Sequence, residues 1–272
     1  MSRFPIDYSD RKPIGKTGET VTAIGLGTWA IRDYSKAYNA FVYAIENGID
    51  NIDTAEMYDG GKAEEFVGRV VRAVGKDKVF VTTKMLPHHL VSSDEVLKAA
   101  KASLKRLGLS EVDLFLIHWP NESLTIEEQV RNFEIVYEEG LARYIGVSNF
   151  NVYELEKAIH ATRKAEIVVD QVHYSVLTKD IEKDLLPYVI KNSITIQAYT
   201  PLERTRVSHH PTIIEIAKKI NRTPVQVALN YLISRPNVVA IPKTENIEHI
   251  KEIIGAMGWR LREEEINILE NI

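Results

Sequence analysis

The chain has 272 residues, 44% of them hydrophobic and 26% charged, a balance that permits a large buried core and excludes a disordered or fibrous polymer. A net charge of −4 and a pI near 6.1 exclude a broadly basic nucleic-acid surface, and the lack of cysteine excludes disulfides, thiolate metal sites and a cysteine nucleophile. Residues 1–10 lack the apolar run of a signal peptide and no stretch is long enough to span a bilayer, so the expectation is a cytoplasmic protein with no membrane or nucleic-acid partner.

Taken in chain order, residues 11–21 carry Gly15 and Gly18 and are expected to form a β-hairpin capping whatever follows. Short β-branched runs then alternate with amphipathic stretches. Strands are expected at 21–25, 49–53, 79–83, 114–118, 144–147, 167–171, 195–199 and 238–241. Helices are expected at 36–47, 63–73, 94–107, 126–139, 151–163, 181–191 and 224–234, with closing helices at 248–254 and 262–272 separated by Gly255 and Gly258. Eight strand-helix units with no linker between them predict one α/β domain over residues 1–272: a (β/α)8 TIM barrel with an N-terminal β-hairpin and C-terminal closing helices.

In such a barrel the chemistry lies at the C-terminal ends of the strands. Asp53 ends the second barrel strand with Tyr58 in the following loop, Lys84 ends the third, and His118 ends the fourth. Each has a plainer explanation when taken alone. Asp53 and Glu56 resemble a helix capping box, Lys84 suits a rim ion pair, and His118 beside Trp119 suits a packed core histidine. All four on three adjacent strand ends form a chemically coherent group. A phenol with an ordinary pKa near 10 needs a neighbouring cation to move its proton near neutrality. Lys84 supplies that charge, and the expectation is a lowered Tyr58 pKa. Asp53 would hold the ammonium, and His118 would donate a hydrogen bond to a carbonyl oxygen.

The hairpin residues Gly15-Lys16-Thr17-Gly18, the run Ile24-Gly25-Leu26-Gly27-Thr28-Trp29, the words Ile52-Asp53-Thr54-Ala55-x-x-Tyr58, Thr83-Lys84 and Ile117-His118-Trp119-Pro120 together resemble the aldo-keto reductase superfamily, in order and over essentially the whole chain. The resemblance implies reduction of aldehydes or ketones to alcohols, in either direction, with Tyr58 as general acid and Asp53, Lys84 and His118 beside it. It also implies a nicotinamide cofactor, with Thr28, Ser148, Asn149, Gln171 and Tyr199 around the nicotinamide and Pro201 and Leu202 in the loop beyond. Lys243 and Thr244 would take the adenosine phosphate and Glu252 the adenine. Taken alone, Ser148 or Asn149 would serve as a helix cap and Tyr199 as a buried barrel tyrosine. His249 stands where that family often carries an arginine for the 2′-phosphate, and Ile253 where it often carries an asparagine. The expected cofactor is therefore NADPH, with NADH as an accepted second.

Trp29, Met85, Trp119 and Phe150 neighbour these positions and are expected to wall a pocket for a small carbonyl or alcohol substrate. The assembly expected is a monomer or weak homo-oligomer. No metal site is expected, because the pairs His88-His89 and His209-His210 lack ligand spacing. Two rivals remain: a nucleotide-binding regulatory or scaffold subunit of the same fold, and an aldolase using Lys84 as a Schiff base.

Overall fold

The computed structural model describes residues 2–272. The chain enters as an antiparallel hairpin of β1 (Arg11–Pro13) and β2 (Thr20–Thr22), paired so that Lys12 faces Val21. Eight parallel strands follow: β3 (Leu26–Gly27), β4 (Asn51–Asp53), β5 (Phe80–Met85), β6 (Val112–Ile117), β7 (Ala142–Ser148), β8 (Ile167–His173), β9 (Thr195–Tyr199) and β10 (Val238–Ala240). Each pairs with its sequence neighbour. The two edges meet through a parallel bridge between Ile24 and Ala240, with Gly25 N–H on Ala240 O at 2.8 Å and Gly27 N–H on Pro242 O at 2.9 Å. Those bonds satisfy the edge groups that an open sheet would leave bare.

The first barrel strand departs from its expected place. Val21 belongs to the hairpin, and the barrel strand begins only at Leu26, because residues 23–25 are used to close the barrel. Gly25 is required there: a Cβ would lie 1.7 Å from Asn51 Oδ1.

The hairpin plugs the barrel floor. Ile14 and Val21 join the interior cluster of Phe80, Leu114, Leu116, Val168, Val169, Val239 and Ile241. Thr195 fixes the plug, its hydroxyl donating to Pro13 O at 2.6 Å and accepting from Gly15 N–H at 2.9 Å. The larger core lies between strands and helices, where alternate strand residues meet the apolar stripes of the surrounding helices.

Around the sheet run α1 (Tyr34–Glu46), α2 (Lys62–Val74), α3 (Ser93–Leu107), α4 (Ile126–Phe133), α5 (Ile135–Glu138) and α6 (Val152–Ala161). They are followed by α7 (Leu185–Asn192), α8 (Pro211–Lys219), α9 (Pro224–Ile233), α10 (Ile247–Ile254) and α11 (Glu263–Glu270). The helix expected over 126–139 is divided at Glu134, a buried residue whose carboxylate accepts the N–H groups of Arg163, Lys164 and Ala165 at 2.7–2.8 Å. Helix α8 was not among the expected elements, although Pro211 in its first turn and buried Ile213, Ile216 and Ala217 carry a helical signature. Among the described residues no helix is long and apolar enough to cross a membrane.

Candidate active site

The rim at the C-terminal ends of β4, β5 and β6 gathers the four residues. Asp53 is the last residue of β4 and pairs in register with Thr82, so Lys84 sits two residues further along β5 on the same inward face. Its ammonium donates to Asp53 Oδ2 at 2.8 Å, to Thr54 O at 2.8 Å and to the Tyr58 hydroxyl at 2.9 Å. Tyr58 is aimed inward by a tight turn in which Asp59, Gly60 and Gly61 all have positive φ. His118 follows β6, with its N–H on Met85 O at 3.0 Å, and its ring meets that of Tyr58 edge-on at 5.7 Å between centroids. Lys84 is wholly buried, and Asp53, Tyr58 and His118 are each less than a tenth exposed.

Three of the plainer explanations do not match the geometry. No helix starts at Asp53, so it caps nothing. Lys84 lies inside the barrel mouth rather than on an exposed rim. Helix α6 is capped by Asn151 with Glu154, which leaves Ser148 and Asn149 free of that task.

Electrostatics at the site differ from expectation in one respect. Burial, the largest influence, pushes the Tyr58 phenol above its ordinary value; the Lys84 charge pulls it down but does not prevail, and Asp53 adds to the rise. Tyr58 is therefore a neutral phenol, the protonated form a proton donor requires. Burial also works against the Lys84 ammonium, yet Asp53 and Tyr58 together outweigh it and hold its pKa above the usual value. Asp53 is pushed up by burial, with Lys84 and the Gln171 amide pulling back. His118 is lowered to about 3 by burial and then by the Lys84 charge, so its imidazole is neutral. Its Nδ1 is buried and makes no hydrogen bond among the described residues.

A second group adjoins the first. Gln171, inward on β8, donates through Nε2 to Asp53 Oδ1 at 2.7 Å and to Gln197 Oε1 at 2.9 Å. The Ser148 hydroxyl donates to Gln171 O at 2.7 Å. Asn149, held at φ 62°, donates to His118 O at 3.1 Å and accepts from the Tyr199 hydroxyl at 2.9 Å. The Thr28 hydroxyl donates to Asp53 O at 3.0 Å. Two strand ends thus tie the four-residue group to a half-exposed tyrosine ring. Beyond Tyr199, Pro201 is buried and Leu202 half-buried, and the chain turns through positive φ at Thr200, Glu203, Arg204 and Thr205.

Farther out, Lys243 pairs with Glu245, and the Thr244 hydroxyl contacts His249 Nδ1 at 3.2 Å and accepts Asn246 N–H at 3.1 Å. Glu252 is half-buried one turn beyond His249 on α10.

The four expected pocket walls divide. Trp29 is 52% exposed with its ring 5.1 Å from that of Tyr58, and Trp119 is 36% exposed against His118. Met85 and Phe150, only 1% and 2% exposed, pack into the core outside the barrel instead. Met85 follows inward-facing Lys84, so the two-residue period of β5 turns it toward the helices.

Several site neighbours were missed. Gln197 precedes Tyr199 by two on β9, and His173 follows Gln171 by two on β8, so strand alternation would have placed both inward. His173 stacks on Tyr199 at 5.5 Å and pairs with buried Glu203 at 2.7 Å. Nothing local in the sequence marks Glu203 as its partner. Asp170 is also buried, with no hydrogen bond closing on either oxygen among the described residues. Burial holds its pKa well above the usual carboxylate range, with the nearby Phe150 N–H opposing the rise without closing a hydrogen bond and the Glu154 charge adding to it.

Comparison with known proteins bears on the family and the fold. The profile of the Aldo/keto reductase family matches residues 23–272. Methylglyoxal reductase YeaE of Escherichia coli (strain K12) is 32% identical over 260 residues, covering 92% of this chain and 90% of the relative. The solved structure of the thermostable aldo-keto reductase Tm1743, in complex with the inhibitor epalrestat, superposes with a TM-score of 0.90 at 41% identity, covering 96% of this chain and 98% of that one. An aldo/keto reductase from Klebsiella pneumoniae in complex with NADP and acetate gives a TM-score of 0.90 at 33% identity, with 97% and 95% covered.

Proposed function

Because the chain belongs to the aldo/keto reductase family, we propose that it reduces small aldehydes and ketones with NADPH, accepts NADH as well, and uses Tyr58 as its proton donor. The observation that carries this reading is the buried contact of the Lys84 ammonium with both the Tyr58 hydroxyl and the Asp53 carboxylate. The methylglyoxal reductase relative makes small 2-oxoaldehydes the first substrates to test.

The residues present suit a nicotinamide. Among the described residues Gln171 Oε1 accepts no hydrogen bond, and the exposed Asn149 amide and the Tyr199 ring adjoin it. Ser148, Asn149 and Gln171 would hold the carboxamide, Tyr199 would pack on the ring, and Thr28, Pro201 and Leu202 would border it. Lys243, Thr244, His249 and Glu252 would meet the adenosine end. When bound, the reduced nicotinamide supplies hydride to the carbonyl carbon.

The chain's own part is to place and feed the oxygen. The neutral His118 imidazole donates one hydrogen bond to the carbonyl oxygen, and the Tyr58 hydroxyl donates another and then gives up its proton. As charge develops on the phenolate, Lys84 stabilises it from 2.9 Å, and Asp53 keeps that ammonium charged and aimed. Trp29 and Trp119, whose rings lie against Tyr58 and His118, would flank the bound carbonyl and exclude water from it. The rival aldolase needs a neutral, free amine. Lys84 instead has all three of its donors used and its pKa raised, which counts against a Schiff base.

The test is steady-state oxidation of NADPH and NADH with a panel of aldehydes and ketones. Tyr58→Phe should lower kcat by about 10²–10⁴-fold with nucleotide affinity unchanged. Undiminished turnover in that variant removes Tyr58 from the role. A protein that binds nucleotide yet reduces no carbonyl supports the regulatory-subunit alternative.

A further inference from the structure

The loop between β10 and α10 carries a carboxylate in the middle of its cation site. Glu245 pairs with the Lys243 ammonium, and the two side chains are only 17% and 30% exposed. The same carboxylate accepts the backbone N–H of Arg32 at 2.9 Å and of Asp33 at 3.0 Å, which fastens the loop ahead of α1 to the loop ahead of α10. Burial pushes the Glu245 pKa up, but Lys243 and these two N–H groups outweigh it, so the group is ionised.

Two of the surrounding lysines are already engaged. Lys36 pairs with Asp33 at 3.8 Å, and Lys251 pairs with Glu248 at 2.7 Å. The exposed Arg32 guanidinium makes no ion pair among the described residues and so leaves the Glu245–Lys243 pair as it is, and the His249 ring is bonded to Thr244. A dianionic phosphate arriving here meets a lysine already neutralised and the carboxylate that neutralises it. A ribose hydroxyl arriving in its place meets an acceptor.

Resting on the nicotinamide-cofactor reading above, we propose that Glu245 is a specificity-determining residue: by occupying Lys243 it weakens selection for a 2′-phosphate, so the protein binds NADH almost as well as NADPH. The preference is set by a residue two positions beyond the phosphate-facing lysine, acting through that lysine and through its own charge.

The experiment titrates NADPH, NADH, adenosine 2′,5′-bisphosphate and 5′-AMP against the wild-type protein, Glu245→Gln, Lys243→Met and the double variant, by calorimetry at low and high salt. Wild type should bind NADPH and NADH within about tenfold of each other. Glu245→Gln should tighten NADPH and the bisphosphate by about tenfold while NADH and 5′-AMP stay within about twofold, and the gain should shrink in salt. Lys243→Met should weaken NADPH more in the Glu245→Gln background than alone, because only there is the lysine free. Equal shifts in all four ligands would mean that Glu245 merely braces the two loops, and would overturn the proposal. So would weaker NADPH binding in Glu245→Gln, or a wild-type preference for NADPH of about a hundredfold or more. If wild type binds neither dinucleotide, the cofactor reading itself falls, which is a different result from unaltered selectivity in a protein that binds both.

Discussion

Replacing Lys84 by Met tests the buried charge arrangement from two sides. The Asp53–Lys84 contact is 2.8 Å between groups almost sealed from water. At an effective dielectric near 20 the Coulomb attraction at that distance is about 6 kcal/mol, part of it offset by the desolvation of both ions. Removing one partner leaves a buried carboxylate with the Gln171 amide as its remaining side-chain donor. A buried pair broken this way costs about 3–5 kcal/mol. For a domain this large each kcal/mol is roughly 2–4 °C, so the melting temperature should fall by roughly 6–20 °C at pH 7. The double variant Asp53→Asn/Lys84→Met removes both charges and should regain most of that loss. Its turnover should stay about 10²–10⁴-fold below wild type, because the developing phenolate still lacks its cation. Differential scanning calorimetry and single-turnover kinetics on the three proteins read the two effects separately. Wild-type melting of Lys84→Met, or restored turnover in the double variant, would refute the reasoning.

His118, lowered to about 3, should remain neutral from pH 5 to pH 8. Its ring resonances, followed by NMR, should not move over that range, and a titration centred near the ordinary value of 6.5 would overturn this. Asp170→Asn should stabilise the protein increasingly with pH. An acid whose folded pKa is raised keeps full stability below its unfolded value near 3.8 and loses it as pH climbs toward the folded one. Each unit of that interval is worth about 1.4 kcal/mol. Asparagine has no proton to lose, so the melting-temperature gap over wild type should widen from pH 4 to pH 8. A gap independent of pH would show that Asp170 does not titrate differently on folding.

The repeating strand and helix pattern, and the residue types at three successive strand ends, are local properties, and they suffice for the barrel and for Asp53, Tyr58, Lys84 and His118 as candidates. A period of two fixes which strand residues point inward once the register is known, and the Met85 assignment failed for want of that step. The sequence could not supply the sign of the Tyr58 shift. Lysine beside a phenol argues for a lowered value, while the depth of burial that reverses it depends on how β4, β5 and the Tyr58 turn pack together. Pairings across the barrel mouth, such as Gln171 with Asp53 or Glu245 with the N–H groups of Arg32 and Asp33, join residues 118 and more than 200 positions apart. Local chemistry marked the candidate groups. Desolvation and long-range contact, which exist only after the chain has closed on itself, decided their protonation and their partners.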